Sequence, residues 1–109
     1  MAGLIVEAEG SVLVELSFGS RPGSRYGIRD AEIVAQQLAT ILADGNTGVY
    51  QGRVIIPECT TLVFQGTDGE AMFRQMGQYF ADHTICAGAT IAIRQGSKLR
   101  EVVIHQIVN

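Results

Sequence analysis

The sequence predicts an α+β domain in which two helices pack on one face of a mostly antiparallel sheet. Three observations predict this class. Segments in which apolar and polar residues alternate, the period of a β-strand, occur in pairs along the chain. Two segments of about 15 residues with apolar residues at helical spacing separate these pairs. No linker or low-complexity tract interrupts the 109 residues, so we expect one domain over 1–109.

Residues 4–18 predict a β-hairpin with one apolar face. Alternation places four apolar residues of its second strand on the same side, Val12, Val14, Leu16 and Phe18. With a three-residue connection through Gly10, the apolar residues of 4–8 lie opposite the apolar residues of the second strand. A two-residue turn would instead place the charged Glu7 opposite Val12. The other face then carries Leu13 and an acidic cluster, Glu7, Glu9 and Glu15. This cluster is a candidate partner-binding surface.

Residues 28–46 have the apolar spacing of a helix. Its predicted buried stripe consists of Ile33, Val34, Leu38, Ile41 and Leu42. Asp30 is the expected N-cap, and Gly45 follows the last turn, where helices commonly end.

The next segments predict two strands and a second helix. The strands meet at a turn near Pro57 and Glu58, because proline has no amide proton to donate within a sheet. Thr67 and Glu70 have the spacing of a capping box at the start of the helix. Its expected buried side consists of Met72, Phe73, Met76, Tyr79 and Phe80. Gly77 lies inside this helix and could allow close packing.

The C-terminal segment predicts a hairpin that turns between Gln95 and Lys98. Its register stays open, since either Arg100 or Glu101 can lie opposite the inward-facing isoleucines. The predicted order is ββαββαββ, which contains the split βαβ core of ferredoxin-like folds. The helix-free face of the sheet is expected to be weakly polar and to favour association, with Gln51, Arg53, Val63, Thr90 and Ala92 as its candidate members.

Composition indicates a domain that meets a partner. Charged residues make up 17% of the chain, below the about 25% typical of soluble domains, which predicts uncovered apolar surface. The net charge of −3 does not attract nucleic acid. No apolar run is long enough to span a membrane and no secretory signal is apparent, so we expect a cytoplasmic protein with Cys59 and Cys86 reduced.

No set of residues predicts a reaction centre, a metal site or a cofactor. His83 and Cys86 are more typical of a histidine at a helix end and a buried cysteine than of a base and its nucleophile. Together with Cys59 and His105 they lack the paired short spacings of zinc sites. Phosphate-loop and dinucleotide motifs are absent from the sequence. We therefore predict a protein that is not an enzyme.

The stretch "GSRPGSRYGIRD", residues 19–30, repeats the unit G-x-R-x three times before a helix N-terminus. We call this stretch the arginine loop. Arginine makes forked contacts with carboxylate or phosphate, and Tyr and Arg are enriched at the centres of protein interfaces. The candidate partner-binding residues are Arg21, Arg25, Tyr26 and Arg29. The alternative is a solvated loop whose arginines pair loosely with nearby carboxylates. Both interpretations stay open.

Residues 60–95, "TTLVFQGTDGEAMFRQMGQYFADHTICAGATIAIRQ", resemble small bacterial proteins that are mostly uncharacterised. Some of these are immunity proteins that neutralise a toxin. The resemblance covers about a third of the chain and implies a binding protein that occludes the active site of another protein.

The leading hypothesis is a non-enzymatic bacterial protein-binding domain, an immunity protein for a cognate toxin. Whether it also forms a homodimer stays open. The alternative is a dimeric regulatory domain that binds a small molecule or phosphate through the arginine loop. No nucleic acid, membrane, metal or cofactor is expected as a partner.

Overall fold

The computed structural model describes residues 9–105 and confirms the α+β class: two helices lie against a five-stranded antiparallel sheet. The strands are β1 (Gly10–Leu16), β2 (Gly48–Ile55), β3 (Thr60–Gly66), β4 (Thr90–Gln95) and β5 (Lys98–Val103). The helices are α1 (Ile28–Asp44) and α2 (Gly69–Asp82), and a short 3-10 turn follows at Thr84–Cys86. The strand order across the sheet is β2-β3-β1-β4-β5.

The predicted N-terminal hairpin is wrong in its pairing. Strand β1 lies in the middle of the sheet, where Val14 is opposite Leu62 of β3 on one side and Ile91 of β4 on the other. Gly10, predicted in the turn, is part of β1 and lies opposite Gly66 and Gln95. The predicted strand over residues 4–8 lies outside the described residues. Alternation of apolar and polar residues shows on which face of the sheet a side chain lies. It does not show which strand pairs with β1, and for that reason the predicted pairing is wrong.

The core forms between the two helices and the sheet face that they cover. The sheet contributes alternate residues of its three inner strands: Val12, Val14, Leu16, Leu62, Phe64, Ile91 and Ile93. The helices contribute Ala31, Val34, Ala35, Leu38, Leu42, Met72, Met76, Tyr79 and Phe80. Ile33 was predicted in the buried stripe of α1 but is 50% exposed. Ala31 and Ala35 are buried instead, and Ile33, which is two residues from each of them, lies on the opposite side of the helix.

Both helix starts differ from their predicted caps. Gly27 is the N-cap of α1, and the Asp30 carboxylate accepts a hydrogen bond from the Gly27 amide at 2.8 Å from inside the first turn. Asp68 caps α2 by accepting from the Ala71 amide at 3.1 Å, so the predicted capping box of Thr67 and Glu70 does not form. Both corrections move the cap by a few residues only, which is the usual uncertainty of helix ends.

The start of α2 is also held by the sheet. Gln95 of β4 accepts from the Gly69 amide at 2.7 Å and donates to the Thr67 carbonyl at 3.1 Å. A β-carbon on Gly69 would lie 2.6 Å from the Arg94 carbonyl oxygen. The helix therefore begins directly on the backbone of β4.

The C-terminal hairpin has a two-residue turn that fixes its register. Gln95 lies opposite Lys98, which brings Arg100 opposite Ile93 and onto the side of the helices. Arg100 donates two hydrogen bonds to the Glu70 carboxylate of α2, at 2.7 and 3.1 Å. At the other edge of the sheet, Arg53 of β2 pairs with Glu32 of α1. Each edge strand is thus tied to a helix by an arginine–glutamate pair.

Candidate functional site

The helix-free face of the sheet carries four of the seven large apolar side chains that are exposed among the described residues. The strand registers arrange its side chains in three rows that run across the strands from β2 to β5. The first row is Val49, Gln65, Ser11, Arg94 and Leu99. The middle row is Gly52, Val63, Leu13, Ala92 and Glu101. The third row is Val54, Thr61, Glu15, Thr90 and Val103. We call these fifteen positions the open face.

Seven of the fifteen positions of the open face are apolar, as many as are polar or charged. On its edge strands the large apolar residues are widely exposed: Val49 56%, Val54 59%, Leu99 65% and Val103 46%. The three apolar residues of the middle row, Leu13, Val63 and Ala92, are half-buried by their neighbours. A solvated face of an antiparallel sheet normally alternates to polar residues, and large uncovered apolar patches usually mark interaction sites.

Sequence reasoning found part of this face and misplaced part of it. Val63, Thr90 and Ala92 lie on it as expected. Arg53 does not, because a bulge between Tyr50 and Gly52 shifts the register of β2 by one residue and turns Arg53 towards α1. Gly52 has φ 146, a backbone conformation that favours glycine, which fits its place at the bulge.

Four edge residues of the open face were missed: Val49, Val54, Leu99 and Val103. The sequence shows that each of them is aliphatic, but it does not show that each lies on an edge strand and faces away from the core. Such a residue adds nothing to the core of its own chain.

The arginine loop is held against the β2–β3 turn. Amides of Ser20 and Arg21 donate to the carbonyls of Ile56 and Pro57, each at 3.1 Å. Gly19 permits this approach, because a β-carbon there would lie 1.8 Å from the Ile56 carbonyl oxygen. The backbone of the loop is therefore fixed on the turn.

Side chains of the loop have three different environments. Arg21 pairs with Glu58 of the turn at 3.2 Å, with both side chains about 60% exposed. Tyr26 packs partly on the core beside Phe18, with ring centres 5.4 Å apart, and Arg25 lies over the Tyr26 ring at 5.4 Å. Arg29 is exposed in the first turn of α1. We call Arg21, Arg25, Tyr26, Arg29 and Glu58 the loop surface.

The geometry gives little support to an anion site at the start of α1. Arg21 and Arg25 are engaged by different neighbours, Glu58 and Tyr26. The Asp30 carboxylate already occupies the first turn, where a phosphate would need the free amides.

Two members of the predicted acidic cluster lie within the described residues, and both are exposed. Glu9 precedes β1 and Glu15 lies near its other end, so about 20 Å of strand separates them. Glu7 lies outside the described residues. Glu15 instead lies close enough to Cys59 to raise the pKa of its thiol.

Cys59, Cys86 and His83 lie in environments that make them less reactive. Burial raises the pKa of the Cys86 thiol to about 11. Burial also raises the pKa of Cys59, with Glu15 and Glu58 adding to the rise. His83 stacks on the Tyr79 ring at 3.8 Å, and its Nδ1 lies 2.9 Å from the Tyr79 carbonyl oxygen at the end of α2. Both thiols are therefore protonated at neutral pH, the form that is a poor nucleophile.

Within residues 9–105, no group of three or more His, Cys, Asp or Glu side chains lies close enough together to hold a metal ion. None of the helices in this part of the chain is long and apolar enough to cross a membrane. Comparison with protein-family models, with curated proteins and with solved structures gives no match.

Proposed function

We propose that this chain is a non-enzymatic protein-binding domain that recognises an acidic surface of a cognate protein through the loop surface. The observation that carries the proposal is the loop itself: its backbone is hydrogen-bonded to the β2–β3 turn at Ser20 and Arg21, while the side chains of Arg25 and Arg29 are exposed. A loop that is already ordered loses little conformational entropy when it binds.

The chemistry of the loop surface fits a protein partner. Tyr26 is a rigid ring that packs partly on the core, and Arg25 lies over it. This is the combination of residues that most often supplies binding energy at protein interfaces. The exposed guanidinium groups would direct the approach of a carboxylate-rich surface and select against a basic one.

The absence of catalysis is part of the proposal. It is supported by the raised pKa values of both thiols and by the position of His83 at a helix end, stacked on Tyr79. A thiol that stays protonated at neutral pH is poorly suited to attack a substrate.

The finer identity that we propose is a bacterial immunity protein with a ferredoxin-like core. Two features support this core: the order βαββαβ of the elements from β1 to β4, and the central position of β1 between β3 and β4. The resemblance of residues 60–95 to immunity proteins supports the toxin as the cognate protein. Such a partner would be bound and occluded without being chemically changed.

Capture of the partner tests the proposal. Tagged wild-type chain and the double variant Arg25→Glu/Arg29→Glu are used to isolate bound proteins from cells that naturally produce the chain. The partner is identified by mass spectrometry, and its binding is then measured with both purified components at several salt concentrations. We expect the double variant to bind at least about tenfold more weakly, with the difference shrinking as salt rises.

A matched control carries the same change of charge elsewhere. Arg74→Glu/Lys98→Glu alters two exposed residues of α2 and β5 that lie outside the loop surface. This control should bind like the wild type. Equal loss of binding in both variants, or a captured partner whose affinity neither variant changes, would show that the loop surface does not bind it. An immunity function further requires that the partner arrests bacterial growth and that this chain restores it.

A further inference from the structure

We propose that the open face packs against the open face of a second copy, in a two-fold dimer whose axis crosses the strands along the middle row, so that Arg94 of each copy meets Glu15 of the other. This interface is separate from the loop surface, which lies beyond the end of β1, beside the β2–β3 turn. If the dimer does not form, the proposed function of the loop surface is unaffected.

The area of the open face fits such a dimer. Five strands about 4.8 Å apart and about 24 Å long give a flat face on the order of 550 Å², or about 1,100 Å² for two copies. A specific interface buries at least about 1,000 Å² in total. The open face reaches this size only if nearly all of it is covered, which a second, identical sheet achieves.

Rotation about this axis brings apolar residues of one copy against apolar residues of the other. An axis along the middle row exchanges the first row of one copy with the third row of the other and keeps each strand opposite its own counterpart. Val49 then meets Val54 of the second copy, and Leu99 meets Val103. The half-buried residues of the middle row, Leu13, Val63 and Ala92, face their own counterparts.

The charges of the face are complementary across the proposed dimer. Arg94 lies opposite Ser11 and Glu15 lies opposite Thr90, so the two charges stand four residues apart along the strands of one chain. No hydrogen bond or ion pair joins either side chain to another of the described residues. In the proposed dimer Arg94 lies over Thr90 of the second copy, one strand spacing of about 4.8 Å from Glu15, within reach of an arginine side chain. The symmetry makes this contact twice.

This axis is preferred to the alternative that runs along β1. That rotation would place Glu15 against Glu15 in the third row and Arg94 over Gln65 in the first row, so that like charges meet and the arginine faces no carboxylate. In the proposed dimer the remaining acidic residue, Glu101, meets its counterpart at the rim on β5, where water screens the repulsion.

Exchanging the charges of Arg94 and Glu15 tests this arrangement. Sedimentation velocity is measured between about 1 and about 100 µM for wild type, Arg94→Glu, Glu15→Arg and the combined Arg94→Glu/Glu15→Arg. We expect the wild type to dimerise, each single variant to weaken the dimer at least about tenfold, and the combined variant to restore it. Both residues are exposed, so the variants keep the fold, which circular dichroism checks.

Two further variants show whether a second copy of the chain or a different protein covers the open face. Leu99→Glu places a charge at a position that is 65% exposed in one copy and should abolish the dimer, whereas Lys98→Glu, next to it on the helix side, should not. A wild type that remains monomeric at all concentrations, or a combined variant that fails to restore association, would overturn the proposal. So would a monomer whose captured partner is lost on Leu99→Glu, because that partner would then occupy the face.

Discussion

At the scale of single residues, two glycines of α2 make opposite predictions. Gly77 lies inside the helix, and a β-carbon there would meet no atom within 4 Å. Gly77→Ala should therefore raise the free energy of unfolding by about 1 kcal/mol, because alanine has the better helix propensity. Urea denaturation measures this change.

Gly69 is the matched comparison at the start of the same helix. Its β-carbon would lie 2.6 Å from the Arg94 carbonyl oxygen, so Gly69→Ala should destabilise the fold despite the same gain in propensity. If both variants shifted stability in the same direction, close packing of α2 on β4 would not be the reason for glycine at position 69. The prediction from sequence that Gly77 allows close packing is wrong.

Thr60 gives a second prediction at this scale. Its side chain is fully buried in β3, and its hydroxyl has no hydrogen-bond partner among the described residues. Thr60→Val keeps the shape and removes an unsatisfied polar group, so it should stabilise the fold by about 1 kcal/mol. Thermal unfolding followed by calorimetry measures the gain.

The control for this substitution is an exposed threonine that has a partner. Thr40 lies in α1 and donates to the Gln36 carbonyl at 3.0 Å. Thr40→Val should leave stability unchanged or slightly lower. A clear loss of stability for Thr60→Val would mean that the hydroxyl is hydrogen-bonded in solution.

At the scale of the elements, the pair of Arg100 and Glu70 ties an edge strand to a helix, and its strength depends on pH. Hydrogen bonds from Arg100 hold the pKa of Glu70 below its ordinary value. The pair therefore adds full stability above the ordinary glutamate pKa of about 4.3 and loses it as the pH falls through the lower pKa of the folded state.

A double-mutant cycle measures this contribution. Glu70→Gln, Arg100→Gln and the combined variant are unfolded in urea at several pH values between about 7 and about 3. The coupling between the two residues should be favourable at neutral pH and should vanish at the acidic end. A coupling that stays constant over this range would mean that the interaction between the two residues does not depend on the charge of Glu70.

The elements show which parts of the fold could be predicted from sequence. Helices α1 and α2 and the turn near Pro57 lie where periodicity and proline chemistry placed them, because these signals are local. The neighbours of β1 could not be predicted in this way. They come from residues 60–66 and 90–95, and no local pattern in residues 10–16 specifies so distant a partner.

At the scale of the whole molecule, the low content of charged residues predicted an uncovered apolar surface, and the open face supplies it. Which residues compose the face depended on the register of every strand and on one bulge in β2, and neither is visible in the sequence. The arginine loop shows the reverse. Its residues were evident from a repeated motif, but its fixed backbone depends on contacts with a turn more than thirty residues away.

The central position of β1 also has a kinetic consequence. Val14 is opposite Leu62 and Ile91, so β1 gains its second neighbour only after residues 90–95 have been synthesised. Until then a strand with Val12, Val14 and Leu16 on one face leaves the ribosome without a partner. Chains with such non-local pairing fold slowly and are exposed to aggregation while they fold.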